Sequence, residues 1–123
     1  MSDSEDATME LLTHRLTTTY TGLVATCATL PIPITLPTGD VSSKDLIPAV
    51  RRIVEIVEEQ PVPEDQQAQL FTGAVLWLAA ADLYSMLIKG EFIEARAAGA
   101  LGTPMIANDA LHALGEWLLG NMS

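Results

Sequence analysis

The residues best suited to chemistry lie near the end of the chain. Asp109, His112 and Glu116 are spaced i, i+3 and i+7, so on a helix they share roughly one face. Carboxylate and imidazole groups in that arrangement could hold a divalent metal ion. The same spacing is common on a solvated helix face, and without a second motif the sequence favours that interpretation. Glu91 and Glu94 form a weaker pair one turn apart.

Other candidates for chemistry are few. Cys27 is the single cysteine, so an internal disulfide is excluded, and a small buried hydrophobe is favoured over a nucleophile. The sequence has no Ser-His-Asp spacing, glycine-rich phosphate loop or paired-cysteine motif. We therefore predict no catalytic, cofactor-binding or metal-binding residues, and a protein that is not an enzyme.

The charge balance excludes several classes of partner. Sixteen acidic and six basic residues give a net charge of -10. Binding to nucleic-acid backbones needs clustered lysine and arginine, and so does binding to an anionic membrane surface. An acidic, lysine-poor composition is also typical of proteins from a high-salt cytoplasm, so a halophilic protein is one hypothesis.

The apolar content points to an assembly. The chain of 123 residues has the length of one domain. Hydrophobic residues make up 49% of it, and with the eight glycines the share exceeds half of the chain, above the usual value of about 45–50%. We expect another chain to cover part of this surface, as in a homo-oligomer. The acidic start of the chain lacks the basic residues of a secretory signal, which predicts a cytoplasmic protein.

A long helix from Pro63 to Gly90 is the element around which the rest of the chain is predicted to be arranged. Pro63 suits the first helical position, and the two acids after it stabilise the positive end of the helix dipole. Lys89 followed by Gly90 is a typical helix end. Because apolar residues cover most of its circumference, we expect this helix to be buried on several sides.

The middle of this helix is also long enough to cross a bilayer, from Leu70 to Ile88. Asp82 lies within it, and an ionised aspartate near mid-membrane costs about 2.5–3.5 kcal/mol on insertion scales. We therefore predict a core helix and no membrane, with insertion as the less favoured alternative. Asp82 is expected to face water at the helix edge; the alternative is a buried carboxylate with Tyr20 or Arg96 as its partner.

The first 41 residues are predicted to form a tail, a helix and a rigid connection. Residues 1–6 are acidic and expected to be a flexible tail. Apolar residues recur in steps of three and four from Ala7 to Leu30, which predicts a helix. The many threonines leave a strand open for part of Thr17 to Leu30. The prolines between Pro31 and Gly39 predict an extended arm, which either packs on its own domain or reaches a neighbouring subunit.

Helices are predicted on both sides of the central one. An amphipathic helix from about Asp45 to Gln60, with Pro48 tolerated only in its first turn, should form a hairpin with the central helix. A shorter helix after the central one is expected to end near Gly99 to Gly102. Pro104 then begins a last helix, which stops at Gly120.

The fold class that follows is all-α. We predict a small helical bundle of about four to five helices with a long N-terminal segment and a proline-rich extended arm. The predicted organisation is a flexible acidic tail (1–6), an N-terminal helix with the proline-rich arm (7–41), and a helical bundle domain (42–123).

One pattern along the chain is similar to a known family. The pattern begins with a helix and a short proline loop. It continues with Pro-Glu-Asp at the start of an alanine-rich helix, which runs into a leucine-tyrosine pair. Together they resemble the head-tail connector (adaptor) proteins of tailed viruses. The resemblance is carried by Asp45 to Val57, Val62, Pro63, Glu64, Asp65, Ala68, Leu76, Ala79, Ala80, Ala81, Leu83 and Tyr84.

The resemblance implies a virion structural protein. It would form a ring, expected to be a dodecamer, between the portal and the tail or neck proteins. The ring would be assembled in the host cytoplasm and would pass the genome without sequence-specific nucleic acid binding. The residues expected to contact a neighbouring copy or partner are Pro31, Ile32, Pro33, Ile34, Leu36, Pro37, Asp82 and Trp117.

An alternative from another class is a small cellular helical partner-binding protein, such as a chaperone, immunity or regulatory subunit. It would bind its partner in a groove between the helix hairpin and the last helix.

Overall fold

The computed structural model describes residues 3–121, and within them it contains four α-helices and one short 3-10 turn. No strand occurs in this range. The prediction of an all-α protein is therefore confirmed, and the strand alternative for Thr17 to Leu30 is wrong. The elements are α1 (Asp3–Thr29), α2 (Ser43–Ile56), the 3-10 turn (Val57–Glu59), α3 (Glu64–Lys89) and α4 (Glu94–Asn121).

Helix α1 begins earlier than its apolar pattern indicated. Acidic residues occupy its first turn, where they stabilise the positive end of the helix dipole. Residues Asp3 to Asp6, expected to be a loose tail, are thus helical, while Met1 and Ser2 lie outside the described residues. The threonines are compatible with the helix because their hydroxyls donate to the carbonyl four residues earlier; this holds for Thr8, Thr13, Thr17, Thr21 and Thr29.

Helix α2 begins two residues before the predicted start. Ser42 is its N-cap residue, and the Ser42 N–H donates to Asp45 Oδ2 over 3.4 Å. Pro48 consequently lies in the second turn, so the expectation that it must occupy the first turn is wrong. The Lys44 carbonyl loses its usual donor there, but Lys44 and Pro48 are both exposed and water can replace the missing bond.

Helix α3 has nearly the predicted bounds. Pro63 is its N-cap rather than its first residue, and its carbonyl accepts hydrogen bonds from the N–H groups of Gln66 and Gln67, both over 3.0 Å. Helix α2 packs against α3, as predicted for a hairpin. Helices α1 and α4 also contact α3, so three neighbours cover the central helix, and its fourth side remains open.

Helix α4 is continuous, so the predicted break before Pro104 is wrong. Pro104 is buried in the helix interior and cannot donate to the Ala100 carbonyl. Helix α1 stabilises the helix at this point, because Arg15 Nη1 donates to the Leu101 carbonyl over 2.8 Å. The local sequence indicated a helix end, whereas the helix continues and is bonded here to a residue 86 positions earlier in the chain.

The core consists of two clusters of buried apolar side chains. The larger draws on all four helices and on Leu36 of the connection between α1 and α2. The smaller, at the other end of α3, contains Met9, Leu12 and Leu87 together with two alanines of α4. Helices α3 and α4 approach closely at Gly73, where nothing larger than a hydrogen atom separates the α3 backbone from the side chain of Leu111.

Candidate functional site

The predicted metal-ligand residues form an exposed ion pair. His112 Nε2 lies 3.0 Å from Glu116 Oε1, and the two side chains are 77% and 71% exposed. Asp109 is exposed on the same helix. Among residues 3–121 no three His, Cys, Asp or Glu side chains are grouped as metal ligands would be. The interpretation as a solvated helix face is the one the geometry supports.

Cys27 is a buried core residue. Its side chain is inaccessible to solvent within the larger cluster, and this burial raises the pKa of the thiol to about 12. The thiol is therefore protonated at neutral pH and unsuited to nucleophilic attack. This agrees with the preference for a small buried hydrophobe.

The buried thiol predicts a loss of stability in alkaline solution. Its pKa in the folded protein, about 12, exceeds the ordinary value of 9.0, so proton binding favours folding. The contribution is complete below pH 9 and is lost between pH 9 and pH 12, at up to about 1.4 kcal/mol per pH unit. Urea unfolding from pH 8 to pH 11 should show a steeper fall in the free energy of unfolding for the wild type than for Cys27→Ala. Burial raises the pKa of Tyr20 in both proteins, whereas the Coulombic effect of Cys27, which raises it further, exists in the wild type alone and adds to the difference. Equal slopes would contradict the prediction.

The proline-rich segment lies along its own domain. Leu36 is 4% exposed, Ile34 packs against the larger cluster, and the Pro37 carbonyl accepts a 2.6 Å hydrogen bond from the Tyr20 hydroxyl. Pro31, Ile32 and Pro33 are exposed. Of the two possibilities left open, these contacts show packing on the same chain, with an outward-facing tip at the first three residues.

Gln60 fixes this segment to the end of the 3-10 turn. It is 4% exposed, and its side-chain Nε2 donates to the Ile32 carbonyl over 2.7 Å. Its Oε1 accepts from the Ile32 N–H over 3.2 Å. Gln67 Nε2 in turn donates to the Gln60 carbonyl over 3.1 Å. This amide was not predicted, because its partner Ile32 lies 28 positions away in the sequence.

Asp82 and Trp117 have different environments. Asp82 is exposed, which confirms the preferred alternative, and its suggested partner Tyr20 is bonded elsewhere. Trp117 is half-buried and packs against the larger cluster. Of the two, the structure leaves Asp82 more accessible to another molecule.

The open side of α3 forms an apolar strip, which we call the outer face. Its residues recur in steps of three and four, so they lie on one side of the helix. Phe71 and Met86 are 44% and 46% exposed, and Asp82 carries the only charge in the set. The outer face comprises Ala68, Phe71, Val75, Ala79, Asp82 and Met86.

Helix α3 also has the length and composition of a membrane span. Its most apolar 18-residue window has a mean hydropathy of 1.6, and one third of that window is buried within the protein. Core helices of soluble proteins share this length and this hydropathy. Contacts with α1, α2 and α4 make α3 a core helix of this bundle.

A groove of about 460 Å³ lies between α1 and the α2–α3 hairpin. Tyr20 and Thr17 line it from α1, Trp77 and Tyr84 line it from α3, and Thr38, Gly39 and Val41 line it from the connection between α1 and α2. The partner-binding alternative placed a groove against the last helix instead. One signal in the sequence could have indicated the α1 side of this groove. The spacing along α1 places six of its lining residues on one side of the helix: Thr13, Leu16, Thr17, Tyr20, Thr21 and Val24.

Two hydrogen bonds fix the aromatic side chains of this groove. Trp77 Nε1 donates to the Leu16 carbonyl over 3.0 Å, and the Tyr84 hydroxyl lies 2.8 Å from Thr13 Oγ1. The Tyr20 and Trp77 rings pack with centroids 5.5 Å apart and planes inclined by 49°. The groove is therefore preformed, with its aromatic rings in fixed positions.

The chain matches no protein-family model, and neither a curated protein nor a solved structure matches it closely enough to indicate a relationship. The outer face and the groove are the features of the structure that bear on its function.

Proposed function

We propose that this protein is a structural subunit that assembles with copies of itself through the outer face of α3. The observation that supports this most directly is the exposure of Phe71 and Met86 on the central helix of the bundle. Contacts on three sides hold α3 rigidly, so little order would have to be gained on association. An apolar strip on a rigid helix is a common form of protein interface.

Charge favours a second copy as the occupant of this strip. The chain carries a net charge of -10, so two copies repel each other over most of their surfaces. Asp82 is the single charged residue of the outer face, so two copies can approach through this face with little repulsion. Molar salt screens the remaining repulsion, so the assembly should be stronger at high salt.

The specific assembly that we propose is the ring of a head-tail connector. The residues that carry the resemblance fall on α2, the connection before α3, and α3 itself, which together form the hairpin. Ala68 and Ala79 of that pattern lie on the outer face. In such a ring, expected to be a dodecamer in the virion, the exposed tip at Pro31 to Pro33 would be available to the portal or a tail protein. The acidic surface would repel DNA passing through the lumen.

Replacing Phe71 with glutamate should weaken the assembly at least tenfold, because it places a second carboxylate on the outer face. The measurement is light scattering coupled to gel filtration, without detergent, in low and in molar salt. Leu11→Glu is the matched control, since Leu11 is 40% exposed on α1.

Asp82→Ala should strengthen association and change the free energy of unfolding by less than about 0.5 kcal/mol.

Three outcomes would count against this proposal. A wild type that is monomeric at both salt concentrations, and remains so with a portal protein, excludes the connector. An equal effect of Phe71→Glu and Leu11→Glu places the interface elsewhere. A protein that is soluble only in detergent would favour the membrane alternative.

The groove favours the second candidate function, a small cellular partner-binding protein. Genes for portal and capsid proteins beside the gene for this chain would support the connector. A cellular operon would support the partner-binding protein.

A further inference from the structure

The described lining of the groove between α1 and α3 contains none of the charged residue types. Its volume of about 460 Å³ is within the usual range for small-molecule sites, about 300–1,000 Å³. None of the described lining residues is Asp, Glu, Lys, Arg or His, although 18% of the chain is charged. A charged ligand would therefore lose its hydration without gaining a partner of opposite charge. This selects an uncharged occupant.

Most hydrogen-bond donors in the groove are already engaged. The Thr17 and Thr21 hydroxyls donate to carbonyls of α1, the Tyr20 hydroxyl to the Pro37 carbonyl, and Trp77 Nε1 to the Leu16 carbonyl. Each engaged hydroxyl oxygen still has a lone pair that can accept a hydrogen bond.

The hydrogen bond between Thr13 of α1 and Tyr84 also engages a donor of the groove. The Thr13 hydroxyl has one hydrogen, which it donates to the Met9 carbonyl over 3.0 Å. In the 2.8 Å contact with Tyr84, the tyrosine must therefore donate. Within the described chain, Thr38 and Ser85 are the lining hydroxyls that make no hydrogen bond to the protein. The groove thus offers more acceptors than free donors.

We propose that this groove binds an uncharged, mainly apolar small molecule that carries a hydrogen-bond donor, such as a long-chain alcohol. The apolar part would contact Tyr20, Trp77 and the aliphatic residues of the lining, and the donor would bond to a threonine or tyrosine oxygen. This site is separate from the outer face of α3, so it does not depend on the proposed assembly.

A series of ligands with one shared tail tests the proposal. Calorimetric titration of the full chain at pH 7.5 would use 1-decanol, decyl methyl ether, decanoate and decylammonium. We expect 1-decanol to bind at least tenfold more tightly than either charged compound. The ether, which has no donor, should bind at least fivefold more weakly than the alcohol.

Two neighbouring threonines provide a matched pair of variants. Thr17 lines the groove, whereas Thr18 is exposed on α1 outside it. Thr17→Phe should fill the entrance and weaken binding of 1-decanol at least tenfold, while Thr18→Phe should bind it as the wild type does. Both side chains are exposed, so both variants should fold, which circular dichroism would verify.

The proposal is overturned if no member of the series binds, or if a charged member binds as tightly as 1-decanol. It is also overturned if Thr17→Phe dissociates a wild-type oligomer, because the groove would then hold a neighbouring chain. A monomeric wild type that binds 1-decanol would refute the proposed assembly and leave this site intact.

Discussion

Replacing Gly73 with alanine should destabilise the protein by about 1–3 kcal/mol, although alanine is the better helix former by about 1 kcal/mol. A Cβ atom at this position would lie 2.6 Å from Leu111 Cδ2 and 2.7 Å from Leu111 Cγ. Leu111 is buried in the larger core cluster, so it cannot turn away without disturbing its neighbours. Either α3 and α4 move apart, or the leucine adopts a strained rotamer.

Gly115→Ala is the matched control for this change. Gly115 lies inside α4, and a Cβ there would meet no atom within 4 Å. This variant should be stabilised by up to about 1 kcal/mol, because alanine loses less backbone entropy than glycine on folding. Urea unfolding of both variants measures the difference. The effect of Gly73→Ala should also shrink in a Leu111→Ala background, and equal stabilities of the two glycine variants would refute the close contact.

Replacing Gln60 with glutamate should destabilise the protein by about 2–3 kcal/mol at pH 7. The buried amide donates to one backbone group of Ile32 and accepts from another, so it satisfies both. A carboxylate can still accept from the Ile32 N–H, but its oxygen would face the Ile32 carbonyl oxygen without a hydrogen between them. An unsatisfied buried polar group costs about 1–3 kcal/mol, and more when it is charged.

The pH dependence of this variant separates the lost hydrogen bond from a general packing defect. A protonated glutamic acid regains a donor for the Ile32 carbonyl, so the deficit relative to the wild type should be smaller at pH 4 than at pH 7. The control is Gln66→Glu, in the first turn of α3, where a negative charge favours the helix dipole. A deficit at Gln60 that does not change with pH would contradict the role of the amide hydrogen.

The sequence predicted the helices well where local signals agree. The acids after Pro63 and the Lys89–Gly90 end bound α3 almost as observed, because capping and dipole effects act within one turn. The three-and-four spacing along α1 correctly indicated a helix despite its threonines, since each buried turn gains from packing. The exposed position of Asp82 also follows from its helix, because a charge on an apolar helix is most stable at the edge facing water.

Features that depend on contacts between distant residues required the tertiary structure. Pro104 has the local signature of a helix start, and only the tertiary structure shows that α4 continues through it, next to the bond from Arg15 of α1 to the Leu101 carbonyl. No residue near Gly73 in the sequence indicates that it contacts Leu111, and none near Gln60 indicates that it bonds to Ile32. The groove likewise combines one side of α1 with one side of α3. Local sequence determined which segments are helical, because the signals act over a few residues; packing between helices decided which faces remain open.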